Sequence, residues 1–379
     1  MANILDYIDW RGDLPMEVSP VNEVDVLILS ELAYLDFSNI ISSDMEAEPV
    51  TICNAVTRYF EEREDKDLSL GLILPSAIFD MAKRMANSPR FKDLPMWGYV
   101  NDIDMSTEIQ FSAVCIDIDR KTTFVSYRGT DDTLIGWKED FNMALSPEIP
   151  AQYTAVDYVN RVARHTRNKL ILGGHSKGGN LAVYAAAKCS ARTRKRLINA
   201  YSYDGPGFTK GFLSTTDYRA IQDRVVSIVP QDSIVGMLLE HLEDHIIVAS
   251  SSRGLLQHDG YTWQVIGSQF VRSQGLSEES ILINRTVNAW LASMDDDQKR
   301  QFTDAFFDIL FSSDATTLDE INRDKRKFLR ALANVDSSKR KFVNDKLAAL
   351  FREGKQTIAS MIESTVKEIK ENLFSKAKK

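Results

Sequence analysis

The stretch Lys169–Ala187, KLILGGHSKGGNLAVYAAA, constrains the fold more than any other part of the chain. A short apolar run, Leu170-Ile171-Leu172, leads into Gly173 and Gly174. The chain then turns through His175-Ser176-Lys177-Gly178 and continues as an Ala-rich helix from about Asn180. This reads as strand, sharp turn and helix with a serine at the tip, the setting that a nucleophilic serine in G-x-S-x-G requires. Such a turn holds the serine in a strained backbone conformation, so little bulkier than glycine fits two residues away on either side. The first N–H groups of the helix aim at any negative charge that develops there.

The chain around this turn alternates between strand and helix signals. Phe111–Ile118 and Thr122–Tyr127 are β-branched and apolar, are separated by Asp119-Arg120-Lys121, and read as a hairpin or two neighbouring strands. Arg128-Gly129-Thr130-Asp131-Asp132 ends the second strand. Helices are expected over Leu134–Ala144 and Gln152–Arg167, the latter with Tyr153, Val156, Val159 and Val162 at helical spacing. Leu197–Tyr203 reads as a strand closed by Asp204-Gly205-Pro206-Gly207. Arg224–Val229 reads as another, closed by Pro230-Gln231-Asp232, with late short strands over Ile246–Ala249 and Tyr261–Val265. The pattern implies an α/β fold with a mostly parallel sheet flanked by helices on both faces. In such sheets the chemistry sits beyond the carboxyl ends of the strands.

Both ends of the chain read as helical. Val24–Leu35 is expected as a buried helix, and residues 51–90 as further helix, with the charged Glu61–Asp67 in a solvated loop or helix end. From Ser277 onward the candidates are Ile281–Met294, Asp297–Phe311, Asn322–Asn334 and Ser337–Phe374. This gives residues 1–276 as one domain, with an N-terminal helical segment over about 1–108, and residues 277–379 as an all-helical, basic C-terminal appendage. Between Thr316 and Lys379 there are sixteen Lys and Arg against nine Asp and Glu, a local balance of +7 in a chain of net charge −8. Val343, Leu347, Leu350, Ile358, Met361 or Ile362, Val366, Ile369 and Leu373 fall close to one helical face. That stripe suits packing on the main domain or on a second copy as a homodimer. The sharper alternative is a basic amphipathic helix making peripheral contact with an anionic membrane.

Composition narrows the functional classes. The acidic net charge argues against nucleic-acid binding over the whole surface. Three cysteines, Cys53, Cys115 and Cys189, with no CxxC spacing, suggest neither a disulfide framework nor a zinc site. No apolar h-region follows the N-terminal MANILDYIDWRGD and no apolar run approaches membrane-span length, so a cytoplasmic protein is expected.

A serine hydroxyl needs a base within hydrogen-bond reach, and the base needs an orienting carboxylate. Of five histidines, His165 precedes the serine in chain order, and His175 lies inside the turn and should point away. His241 and His245, in LLEHLEDH, are expected on one helical turn, in surface or lid roles. A metal site there lacks a third ligand at a supporting spacing. His258, in a loop before a short strand, is the favoured base. The acid then follows a later strand than the serine. Asp232 is favoured over its rival Asp204, which could instead shape the pocket. One oxyanion donor is expected from the N–H of Lys177, and a second from Thr130, through its N–H and hydroxyl.

These residues resemble the class 3 lipase-like α/β-hydrolases. The resemblance lies in Val125–Thr130 with Trp137 and Asp140, in Gly174–Ala182, in Tyr203–Gly207, in Val229–Asp232 and in His258, and covers about Gln110 to Val265. The opening Asp6–Leu14 and Asn22–Asp25 look like an uncharacterised bacterial branch. The resemblance implies an α/β-hydrolase fold with Ser176, Asp232 and His258 as triad, and with Thr130 and Lys177 at the oxyanion hole. It also implies a small-molecule or lipid ester or thioester as substrate, and no cofactor. One departure is Lys177, where family lipases usually carry an apolar residue. A charge beside the nucleophile predicts a more polar substrate mouth. The leading expectation is a serine esterase or lipase-like acyl hydrolase. The alternatives are a thioesterase or acyltransferase on the same triad, and a catalytically silent scaffold binding through its basic tail.

Overall fold

A computed structural model describes residues 1–63, 71, 74–104, 109–145, 148–313 and 315–354. Most of Glu61–Asp67 and the part of the apolar stripe from Ile358 onward lie outside the described residues. Among the described residues, eight strands form one sheet in the order β1 to β8. These are β1 (Val50–Thr51), β2 (Pro95–Asp104), β3 (Ile109–Asp119), β4 (Thr122–Tyr127), β5 (Lys169–His175), β6 (Leu197–Tyr203), β7 (Val225–Pro230) and β8 (His245–Val248). Strands β1 to β4 pair antiparallel, and β4 to β8 run parallel.

Sheet alternation divides the core between two faces. Val114, Ile116, Phe124 and Ile171 bury one face under α1 (Ile4–Arg11), α2 (Glu23–Leu32), α3 (Ile52–Glu61) and α4 (Ala77–Asn87). Their neighbours Ala113, Cys115, Val125, Leu170 and Leu172 bury the other. That face is covered by α6 (Pro150–His165) and α7 (Lys177–Lys188), which follow α5 (Leu134–Leu145). Helix α2 is buried from Val24 to Leu32, so Leu27, Ile28, Leu29 and Leu32 each contribute about 2 kcal/mol of apolar burial. Its buried Asp25 is neutralised by the wholly buried Arg90 and accepts from Tyr7. Three one-turn helices, α8 (Ala191–Arg194), α9 (Lys210–Leu213) and α10 (Thr216–Arg219), fill the crossovers around β6. This is an α/β-hydrolase fold.

After two short strands, β9 (Val265–Ile266) and β10 (Gln269–Phe270), the chain is helical. The helices are α11 (Glu278–Ala292), α12 (Asp296–Phe311), α13 (Leu318–Arg323), α14 (Lys325–Asn334) and α15 (Ser337–Glu353). They have a small core of their own, with Trp290, Met294, Phe302, Ala305 and Val343, against which Phe141 of α5 packs. Backbone bonds from Leu134 N–H to Thr316 O and from Leu318 N–H to Asp132 O pin this segment beside the end of β4. Among the described residues no helix is long and apolar enough to cross a membrane.

Several local expectations change. Residues 1–108 are not wholly helical, because Pro95–Asp104 forms the long strand β2. Its alternation is broken at Gly98, whose φ of +65° sits in a register shift between Trp97 and Val100. LLEHLEDH is not helical: His241 lies in an irregular segment and His245 starts β8. Tyr261–Val265 is a one-turn 3-10 helix followed by β9, since Asp259 caps Tyr261 N–H and closes a tight turn. Asn322–Asn334 is split at Asp324, whose side chain caps α14.

Candidate active site

The residues singled out at the strand ends converge at the carboxyl edge of the parallel strands. Ser176 joins β5 to α7 with φ 56° and ψ −131°, a conformation few non-glycine residues adopt. Its N–H bonds to Tyr203 O, and its side chain makes no capping bond to the helix. The turn is packed against β4: a Cβ at Gly178 would lie 2.1 Å from Tyr127 O, and one at Gly174 2.4 Å from the same oxygen. Only glycine lets the backbones approach this closely.

His258 ends a 3-10 turn, Gly254–His258. Its Nδ1 lies 2.6 Å from Asp204 Oδ2. Asp204 is fully buried with φ 48°, and its Oδ1 accepts from Ser233 Oγ and from Gly236 N–H at 3.2 Å. Because Nδ1 is committed to Asp204, Nε2 is the ring nitrogen left for chemistry.

The expectation that Asp232 backs His258 is therefore corrected. Asp232 Oδ2 accepts from Gln257 Nε2 at 2.8 Å and from Gly254 N–H at 3.0 Å, while its own N–H bonds to Gln257 Oε1 at 2.9 Å. It shapes the loop that carries His258, and Asp204 takes the place beside the ring. Sheet order supplies the reason. Asp204 follows β6, which neighbours the strand of Ser176, whereas Asp232 follows β7, one strand spacing (roughly 4.8 Å) further away.

Thr130 leaves β4 on the other side of Ser176. A Cβ at Gly129 would lie 3.2 Å from Ser176 Cβ, so this loop runs hard against the turn. The Thr130 hydroxyl donates to Asp140 Oδ1 at 2.7 Å. Its proton is thus engaged, and the backbone N–H is the donor Thr130 can offer. Burial pushes the Asp140 carboxyl up to about 6, with the Lys177 charge opposing.

The Lys177 side chain does not line a polar mouth, contrary to expectation. It is wholly buried, with Nζ 2.8 Å from Glu139 Oε2 and 3.0 Å from Gln110 O, and it also donates to Gln110 Oε1.

Ser176, His258 and Thr130 line one cavity of about 640 Å³. Its walls are mainly apolar: Trp137 and Phe141 from α5, Leu238, Leu255, and Trp290, Leu291, Met294 and Phe302 from α11, α12 and the turn between them. Sequence reasoning did not place the last four at the site, because their spacing carries no signal beyond that of an ordinary helix core. It also missed Glu31 and Tyr34, polar residues at the end of buried α2 that line the cavity beside His175, whose Nδ1 lies 3.4 Å from Glu31 Oε1 and 3.3 Å from the Tyr34 hydroxyl. Burial holds Glu31 well above the usual carboxylate range and lifts Asp259 to about 6.

Of the remaining histidines, His175 also lines the cavity, whereas His165, His241 and His245 do not. The His175 ring donates from Nε2 to the backbone O of His258 at 2.7 Å, and burial pushes its pKa down to about 3. His165 faces Glu46 and Trp97. His245 Nδ1 meets Ser227 Oγ at 2.9 Å, and His241 Nδ1 meets Glu243 Oε1 at 3.2 Å. Among the described residues no group of three or more His, Cys, Asp and Glu could hold a metal ion.

The family model described as Mbeg1-like matches residues 85–308, more than half of the chain. No curated protein matches. Solved structures to which the chain is similar include M37 lipase, at 13% identity and a TM-score of 0.34 over 55% of this chain and 67% of that one. They also include Rhizomucor miehei lipase in its propeptide complex, at 14% identity and a TM-score of 0.33 over 60% of this chain and 70% of that one. A third is Lip2 lipase from Yarrowia lipolytica, at 13% identity and a TM-score of 0.33 over 52% of this chain and 75% of that one.

Proposed function

The chain belongs to the Mbeg1-like family, a lipase-like branch of the α/β-hydrolases, and from this and the site geometry we propose that it is a serine hydrolase cleaving carboxylic esters through an acyl-enzyme. The observation that carries the reading is the strained Ser176 sharing one apolar cavity with a His258 whose Nδ1 is held by buried Asp204.

Ser176 Oγ attacks the ester carbonyl while His258 Nε2 takes its proton. Asp204 keeps the ring in the required tautomer and stabilises the imidazolium. The carbonyl electron pair moves onto oxygen, and the oxyanion is met by the N–H groups of Thr130 and Lys177, each worth about 3–4 kcal/mol to the transition state. His258 returns the proton to the departing alkoxide. Water, activated by the same nitrogen, then releases the acid. Every step uses protein groups and water. The apolar walls suit an ester with an apolar acyl group, and the cavity volume is that of a small-molecule site. A reducing, cytoplasmic setting accords with three free cysteines.

The test is labelling of the purified full chain with a fluorophosphonate probe, alongside hydrolysis of p-nitrophenyl esters from acetyl to palmitoyl. Labelling and turnover that vanish in Ser176→Ala support the reading. Folded wild type that neither labels nor turns over any ester overturns it.

A further inference from the structure

The buried side chain of Lys177 takes no part in the steps above, yet every proton of its ammonium group is bonded. Its three ammonium protons meet three acceptors: Gln110 O, Gln110 Oε1 and Glu139 Oε2. The acceptors are themselves tied down. Glu139 Oε1 accepts from Ala151 N–H at 3.1 Å, and Gln110 N–H reaches Glu139 Oε2 at 3.4 Å. Gln110 Nε2 in turn reaches the carbonyl of Gly129 at 3.4 Å.

That last bond matters for geometry. Gly129 C=O and Thr130 N–H belong to one planar trans peptide, so holding the oxygen on one side aims the N–H to the other. The Lys177 backbone thus offers one oxyanion donor directly. Its side chain, through Gln110, sets the direction of the second. Helix α5 reinforces both halves from adjacent residues, with Glu139 on Lys177 and Asp140 on the Thr130 hydroxyl.

We propose that Lys177 is a positioning residue, whose ammonium group clasps β3, α5 and the first turn of α7 so that its own N–H and that of Thr130 are aimed and spaced before substrate arrives. This rests on the hydrolase reading and adds to it. Stability alone is a poor reason for the arrangement. A buried ion pair commonly contributes no more than apolar residues of the same volume. What a saturated ammonium supplies and a methyl group cannot is direction, which is what preorganised oxyanion donors need.

The experiment compares the wild-type chain with Lys177→Met/Glu139→Gln, which removes both charges together, and with Gln110→Leu, which leaves the Lys177–Glu139 pair intact. The readouts are Tm, kcat and KM on p-nitrophenyl butyrate, and the affinity of a trifluoromethyl ketone against its methyl ketone counterpart. The fluorinated ketone is attacked by Ser176 Oγ, its proton passing to His258, and places an oxyanion between the two N–H groups. The double variant should fold, lose about 10- to 100-fold in kcat with KM within about twofold, lose the same factor in trifluoromethyl ketone affinity, and bind the methyl ketone unchanged. Gln110→Leu should show the same split at roughly 3- to 10-fold, and decides the matter if the double variant does not fold. Folded variants with wild-type kcat and ketone affinities would mean that Lys177 only packs. Wild type without turnover or labelling sinks the hydrolase reading and this inference with it, a result distinct from unchanged kcat in the variants.

Discussion

Asp204 Oδ2 and His258 Nδ1 are 2.6 Å apart, while the other oxygen of the same carboxylate is held by Ser233 and Gly236. A carboxylate fixed from three directions holds an imidazole in one tautomer. Asp204→Asn should therefore lower kcat on a p-nitrophenyl ester by about 10³- to 10⁴-fold with a near-normal Tm. Asp232→Asn, which keeps an acceptor for Gln257 and Gly254, should lower it by less than about tenfold. The reverse ranking would return the acid role to Asp232.

The turn around Ser176 has no room for a methyl group. Gly178→Ala drives a Cβ to within 2.1 Å of Tyr127 O. It should cost about 2–3 kcal/mol in urea unfolding and abolish fluorophosphonate labelling. Gly275→Ala, with nothing within 4 Å of its added carbon, should stay within about 0.5 kcal/mol. Equal effects of the two changes would show that the turn has room for a methyl group at Gly178.

Asp259 introduces a pH dependence of known sign. Burial raises its folded pKa to about 6, above the ordinary carboxyl value of 3.8. The raised value means that the folded state binds the proton more tightly. Its contribution to stability is complete below about pH 3.8 and is lost as pH rises through about 6. Asp259→Asn keeps the cap on Tyr261 N–H without the charge. Its stability relative to wild type should be about 1 kcal/mol more favourable at pH 8 than at pH 5, read by urea unfolding at both. A gap that does not change with pH would show that Asp259 is ordinary in the folded state.

The C-terminal helices wall the cavity, so they should affect substrate preference. Leu291→Asn places an amide on that wall. kcat/KM for the palmitoyl ester should fall by about tenfold while that for the acetyl ester stays within about twofold, since one lost apolar contact is worth about 1–3 kcal/mol. Parallel loss on both esters would mean that the acyl chain does not lie against α11.

Where the local chain carried its own signal, the sequence sufficed. Leu197–Tyr203 reads as a strand, and β6 spans those residues. The β3–β4 hairpin lies where β-branched residues flank Asp119-Arg120-Lys121. The turn at Ser176 was legible because close backbone approach excludes every residue but glycine, and a requirement that strict leaves a mark on the sequence. Strand β2 was less legible because the irregularity at Gly98 interrupts the alternation that marks a strand.

The choice between Asp204 and Asp232 could not be read in one dimension. Both follow a β-strand, both precede His258, and both sit in a turn. What separates them is which strand lies beside β5, and that is decided by the pairing of β5 with β6 across the sheet. The destination of Lys177 is of the same kind. The sequence places a charge beside the serine, but its four-carbon stem reaches acceptors 67 and 38 residues earlier in the chain. Sequence thus determined most of the elements and the strained serine, because those depend on local sterics and periodicity. Tertiary structure alone decided which carboxylate faces the histidine and which way the lysine points, because hydrogen-bond partners are set by distance in space and not by distance along the chain.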